Sequence, residues 1–263
     1  MKQIFAIFGN PVSHSKSPLM HNTAFISLKY DACYTRYLLE NGKSLKNKFL
    51  SLGLKGANIT VPHKEDAFEA CDELDDFAKS VGAVNTIVLN DGKLKGYNTD
   101  APGFLKCIKD FSEAKNILIL GAGGTVKSTS YILKNAGYSV EILARNKDKL
   151  KDFENDFGCF AFDNFKEKKY DLIINMTSSG LQDDLLPAPK EILENIILNS
   201  HGVIDIIYGK QTPFLHLAKA NNIASKDGID MLINQGVLAF DYFTDHQFSL
   251  NKIENAMKRA FSF

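Results

Sequence analysis

An apolar run at residues 117–120 passes directly into Gly121-Ala122-Gly123-Gly124 and then into residues 126–135, whose spacing is helical until Gly137 ends it. A strand apolar on both faces, a glycine turn and a helix in immediate succession admit few folds. Such strands belong to parallel sheets covered on both sides. The turn lets backbone N–H groups at the positive end of a helix approach a phosphate. The pattern predicts a Rossmann-like nucleotide-binding domain with Gly121, Ala122, Gly123, Gly124 and Thr125 at the pyrophosphate. Gly121 and Gly123 fill the first two places of G-x-G-x-x-G and Val126 stands in the third, so the reading rests on strand-to-helix context rather than on the motif alone.

The alternation continues with strand 140–143, helix 147–157 and strands 172–175 and 203–207. Strand 140–143 decides between nucleotides. An NAD site places an acid at its tip for the ribose 2′-hydroxyl, whereas a cation there suits a 2′-phosphate. The tip reads Ala144-Arg145-Asn146-Lys147, and the nearest acid, Glu141, lies mid-strand. NADP is therefore the expected cofactor, against the plainer alternative that Arg145 and Lys147 open a solvated helix.

The N-terminal part carries a separate series: strand 4–8, helix 18–28, strand 33–39, helix 45–52, strand 57–61, one or two helices over 66–81, and strands 85–89 and 93–97 joined at Asp91-Gly92, a tight-turn pair. The expected fold class is α/β with two domains. Residues 1–101 form an α/β domain of their own, 102–236 the nucleotide domain, and 237–263 C-terminal helices that pack back on the first. A chain of 263 residues that is 44% hydrophobic is long enough for two cores.

Charge and composition narrow the partner. Lys plus Arg and Asp plus Glu both number 31, so no net field attracts nucleic acid or an anionic membrane. No apolar run approaches the roughly 20 residues of a membrane span. The opening residues read as a strand and turn rather than a leader, which gives a cytoplasmic expectation. Cys33, Cys71, Cys107 and Cys159 are far apart, and the six histidines are scattered without ligand spacing, so neither a disulfide framework nor a metal site is expected. The partner is a small molecule, and the chain a monomer or homodimer.

Three polar segments follow strands. In residues 10–18, Ser13, Ser15 and Ser17 either cap the helix that follows Pro18 or hold a carboxylate. Asn58-Ile59-Thr60-Val61-Pro62-His63-Lys64 alternates polar residues and ends on a lysine. Asn85-Thr86 and Asn98-Thr99-Asp100 flank the hairpin. Asn, Thr, Lys and Asp at several strand ends suit a polyhydroxylated ligand, since amides donate and accept while carboxylates accept.

Taken in order, GNPVSHSKSPLMHN, NITVPHK, GAVNT, NTDAPGF, GAGGTVKS, INMTSSG and DGIDMLINQ resemble the shikimate dehydrogenases along nearly the whole chain. The resemblance implies NADPH-dependent, reversible reduction of 3-dehydroshikimate to shikimate. It places Ser15 and Ser17 on the substrate carboxylate with Tyr208 assisting, Thr60, Asn85, Asp100 and Gln235 on its hydroxyls, and Lys64 with Asp100 at the proton transfer. On the cofactor side it implies Asp76, Ile206 and Gly228 in addition to Ala144, Arg145, Asn146 and Lys147. Thr125-Val126 and Ala144 depart from the family pattern, where small residues and Asn or Ser are common; both departures bear on the cofactor. An NAD-linked quinate/shikimate dehydrogenase and a nucleotide sensor without turnover are the alternatives. Lys64 and Asp100 argue against the sensor, because nucleotide binding needs neither.

Overall fold

In the computed structural model, which describes residues 2–166 and 168–261, β1 (Gln3–Gly9) is buried over its last five residues and forms the spine of a first sheet. α1 (Ser17–Ser27) leads to β2 (Ala32–Leu38), and α2 (Leu45–Ser51) leads to β3 (Gly56–Ile59). β2 and β3 pair parallel to β1 on either side. Over 66–81, where one or two helices were expected, there are two, α3 (Lys64–Ala70) and α4 (Asp76–Val81), with the short strand β4 (Glu73–Leu74) between them. β4 pairs with β6 over only two residues, too short a segment to leave a period in the sequence. β5 (Thr86–Asn90) and β6 (Lys93–Tyr97) form the hairpin, with Asp91 and Gly92 at φ 48° and 76° between paired Asn90 and Lys93. Two left-handed residues in a two-residue turn match the twist of the strands, the reason Asp-Gly is favoured there. The sheet runs β2-β1-β3-β5-β6-β4.

After α5 (Asp100–Cys107) the second series follows: β7 (Asn116–Leu120), α6 (Gly124–Asn135), β8 (Ser139–Ala144), α7 (Lys147–Leu150), β9 (Gly158–Ala161), β10 (Leu172–Asn175), α8 (Lys190–Leu198), β11 (Gly202–Asp205), α9 (Pro213–Ala220) and β12 (Ala224–Lys226). These strands are parallel in the order β12-β11-β10-β7-β8-β9. Their apolar runs feed two cores by alternation. Ile117, Ile119, Ile142 and Ile174 enter one, and Leu118, Leu120, Leu143 and Ile173 the other, as period-two side chains in a doubly covered sheet must. The helix expected over 147–157 stops at Leu150. Leu150, Phe153 and Phe157 are buried at helical spacing, but successive turns rather than a continuous helix carry the last two, with Phe153 and Glu154 N–H on Leu150 O and Asp156 and Phe157 N–H on Phe153 O.

The chain divides into two compact units, residues to Gly103 together with those from Leu232 onward, and Phe104–Met231. The second boundary lies within α10 (Ile229–Phe243), earlier than the 236/237 expected. Gly236 packs closely within the first unit: a Cβ there would lie 2.3 Å from Met20 Cε. Farther along α10, Phe240 packs at a tilt against Phe25 and Phe243 against Phe5, each at 4.8 Å between ring centroids. α11 (Leu250–Lys258) packs on α1. Among the described residues no helix is long and apolar enough to cross a membrane.

Candidate active site

In the first unit the polar segments gather at one end of the sheet. β1 and β3 are parallel neighbours, so the Ser15 loop and the Thr60-to-Lys64 segment leave from adjacent carboxyl ends. The Thr60 N–H donates to Phe8 O at 2.8 Å. A Cβ on Gly9 would fall 2.3 Å from Thr60 Cγ2, so only glycine allows this approach. β5 runs antiparallel to β3, which brings its preceding residue, Asn85, to the same end. The Ile59 N–H donates to Asn85 O at 2.8 Å.

Lys64 opens α3 and Asp100 opens α5. Lys64 Nζ donates to Asp100 Oδ2 at 2.6 Å, with the side chains 14% and 12% exposed. A cation in the first turn of a helix runs against the helix dipole, and the carboxylate offsets it. His63, the residue before, is buried with Nε2 2.6 Å from Leu39 O and Nδ1 3.1 Å from Asp66. The Lys64 carbonyl accepts from Val84 N–H. One turn beyond Asp100, a Cβ on Gly103 would lie 2.6 Å from Gln235 N. α5 and α10 therefore cross backbone to backbone, which brings Gln235 beside the helix that Asp100 opens.

Ser15 and Ser17 are buried. Ser15 Oγ accepts from Ser17 N–H at 3.2 Å. The N-cap of α1 is Lys16, whose side chain makes no capping bond; Ser17 stands at the first helical position and is not the cap, while Ser15 takes up its N–H. The Arg36 guanidinium holds the Ser15 carbonyl at 2.6 and 3.2 Å, a contact with no signal in the sequence beyond a lone cation on a strand. Asn58 and Thr99 also join the site without having been among its expected members. Asn58 Nδ2 donates to Thr86 Oγ1 at 3.0 Å, and Thr99 N–H donates to Asn85 Oδ1 at 2.7 Å. Their signal was present, since both sit in the polar segments at strand ends.

In the second unit the strand order reverses between β7 and β10, and ligands of such sheets lie at the carboxyl ends beside that switch. Gly121 follows β7 at φ 120°, with its Cβ position 3.3 Å from Met176 O after β10. Gly123 and Gly124 are exposed and have open space where side chains would stand. Gly123 is the N-cap of the twelve-residue α6 and provides no side-chain cap. Ala122 and Thr125 flank them, partly buried. Val126 is fully buried in the core, so the third motif position is filled by an apolar helix-to-sheet contact. An open glycine backbone at an uncapped helix start fits a dinucleotide pyrophosphate.

At the β8 tip Ala144 is buried and Arg145 exposed. Arg145 makes no hydrogen bond or ion pair with the described residues. Asn146 caps α7 by accepting from Asp148 N–H at 2.9 Å, and Lys147 is paired with Asp163 at 2.6 Å. Ile206 and Gly228 are brought together: a Cβ on Gly228 would lie 2.0 Å from Ile206 O. Asp205, which the sequence reading passed over, fastens this loop. It accepts from Ile207 N–H at 3.0 Å and Thr212 Oγ1 at 2.6 Å, and burial raises its pKa. An acid ending an apolar strand was the available signal. Tyr208 follows on the same loop in the second unit, whereas Ser15 and Ser17 belong to the first. Asp76 is exposed, paired with Lys79 at 3.4 Å, and belongs to the first unit rather than to that of the glycine loop.

The family model for the shikimate dehydrogenase substrate binding domain matches residues 7–87. A shikimate dehydrogenase (NADP(+)) of Helicobacter hepaticus is 44% identical over 257 residues, covering 97% of this chain and 96% of the relative. The crystal structure of shikimate dehydrogenase from Aquifex aeolicus superposes with a TM-score of 0.86 at 33% identity, covering 100% of this chain and 98% of that one. That of shikimate 5-dehydrogenase from Thermus thermophilus, in complex with NADP(H) and shikimate, gives 0.84 at 32% identity, covering 98% and 99%.

Proposed function

The chain belongs to the shikimate dehydrogenase family, and from that premise we propose that it is an NADP-dependent oxidoreductase interconverting shikimate and 3-dehydroshikimate in aromatic amino acid biosynthesis. The observation that carries this reading is the Lys64–Asp100 pair, a largely buried ammonium held at 2.6 Å by a carboxylate. Reducing a ketone builds negative charge on its oxygen, which requires a proton and a stabilising donor. Lys64 supplies both, giving a proton in reduction and taking it back in oxidation. Asp100 orients the ammonium and accepts from a neighbouring substrate hydroxyl. Asn85, Thr60 and Gln235 hold the remaining hydroxyls, and Ser15 and Ser17 the carboxylate, with Tyr208 assisting there.

Bound NADPH supplies the hydride. The amides at Gly121, Ala122, Gly123, Gly124 and Thr125 hold its pyrophosphate. Ala144, Arg145, Asn146 and Lys147 surround its ribose, with Arg145 on the 2′-phosphate. Ile206 and Gly228 line the nicotinamide, and Asp76 completes the set. The enzyme works in the cytoplasm as a monomer or homodimer. Steady-state assays with shikimate and quinate, each against NADP and NAD, test the assignment, and shikimate with NADP is the expected preferred pair. Lys64→Ala is expected to lose roughly 10²–10⁴ in rate while keeping its fold. A variant retaining more than about a tenth of the rate would remove Lys64 from the proton transfer.

A further inference from the structure

Behind Asn85 lies a chain of buried polar side chains whose direction two backbone groups dictate. The Thr99 N–H donates to Asn85 Oδ1 at 2.7 Å, which fixes that amide, and Asn85 Nδ2 donates to Thr99 Oγ1 at 3.0 Å. The Asn85 carbonyl accepts from Asn58 Nδ2 at 3.3 Å, which fixes the second amide. Asn58 Nδ2 also reaches Thr86 Oγ1 at 3.0 Å; the Thr86 hydroxyl lies 3.1 Å from Asn85 Oδ1 and 3.2 Å from the Thr99 hydroxyl, which itself reaches Asn85 Oδ1 at 3.2 Å. Asn58 Oδ1 is left facing Tyr34, whose hydroxyl must donate to it, at 2.7 Å. The count of donors then closes at Asn85. Its Oδ1 is engaged by Thr99 and Thr86, one Nδ2 hydrogen is used on Thr99, and the second has no acceptor among the described residues.

We infer that Tyr34 is a positioning residue for substrate: by donating across β1 to Asn58 Oδ1 it reinforces, beside the two backbone bonds, the orientation of the Asn58–Thr86–Asn85 chain that leaves Asn85 a hydrogen-bond donor toward a substrate oxygen. The inference rests on the proposal that Asn85 binds substrate. Tyr34 stands on the edge strand β2, with β1 between it and β3. It is 4% exposed, and the His21 ring stacks on it at 4.4 Å and 5°. Burial raises its phenol well above the usual range, so it keeps the proton it donates. A chain fixed in one sense discriminates among ligands, because a buried amide cannot turn to meet a donor without stranding its partners.

Tyr34→Phe keeps the ring and its stack and deletes only the hydroxyl. The shikimate KM is expected to rise about tenfold, the scale of one buried hydrogen bond, with the NADP KM unchanged and kcat much less affected. Asn85→Ala is expected to raise the shikimate KM as well, and Tyr34→Phe added to it to cost little more, since both act through one group. Thr86→Val, which deletes the linking hydroxyl at nearly constant shape, gives an independent route to the same separation of KM values. An unchanged shikimate KM in Asn85→Ala would defeat the assignment of Asn85 to the substrate. A raised KM in Asn85→Ala would overturn the role of Tyr34 if Tyr34→Phe or Thr86→Val left the KM alone, or if the effects of Tyr34 and Asn85 added in full.

Discussion

His21 is fully buried among Tyr34, Phe25, Phe240 and Phe243, and neither of its ring nitrogens has a hydrogen-bond partner among the described residues. Burial lowers its pKa from 6.5 to about 3, so the folded ring stays neutral where the unfolded one takes up a proton. Between those values the unfolded state binds more protons, and stability falls as the pH falls, by up to about 1.4 kcal/mol per unit. His21→Phe removes the titration and the unpaired nitrogens while keeping an aromatic stack. Urea midpoints at pH 6.5 and 5 are expected to show the wild type losing about 2 kcal/mol more than the variant; equal losses would rule out a neutral His21. Arg145 makes the opposite kind of prediction, since it is an exposed cation without a protein partner among the described residues. Arg145→Ala is expected to raise the NADP KM by roughly 10- to 100-fold, the worth of a charged hydrogen bond, and to leave the shikimate KM alone. Lys147→Ala is expected to do less, as Lys147 is already paired with Asp163. At this scale the strand-end residues were legible because polar groups stand out beside apolar strands. Tyr34 and Arg36 were not, because a tyrosine or arginine on an edge strand looks like any other until its partner is known.

Elements that carry their own period or turn chemistry could be read directly: β7 with its glycine loop and the Asp91-Gly92 hairpin. Elements defined by partners could not. β4 is two residues, and the segment after α7 buries Phe153 and Phe157 at helical spacing without being a helix. The α5–α10 crossing is likewise invisible in sequence, and Gly103 tests it. Gly→Ala inside a helix normally stabilises by about 0.5–1 kcal/mol. Here the new Cβ meets Gln235 backbone at 2.6 Å, which cannot yield as a side chain can. Gly103→Ala is expected to cost about 1–3 kcal/mol and to weaken shikimate turnover by displacing Asp100 from Lys64. Gly123→Ala, where no atom lies within 4 Å, is expected to spare stability and weaken NADP binding. Thermal melts and KM values for both ligands distinguish the two, and a stabilised, active Gly103→Ala would refute the crossing.

On the scale of the whole molecule, two units with separate cores predict ligand effects that divide. At 100 times its Kd a ligand that binds only the folded form stabilises it by about 2.7 kcal/mol. Hydrogen exchange is expected to slow in β1 and β3 on adding shikimate alone and in β7 and β10 on adding NADP alone. Protection spread evenly by either ligand would mean that the units do not open separately. The path of the chain through them also sets an order in time. The first unit needs Phe240 and Phe243 of α10 against Phe25 and Phe5, yet residues 104–231 intervene. At about 5–20 residues per second those residues take on the order of ten seconds to leave the ribosome. The inserted unit is complete first, while the earlier-made sheet waits with an aromatic face uncovered until α10 emerges.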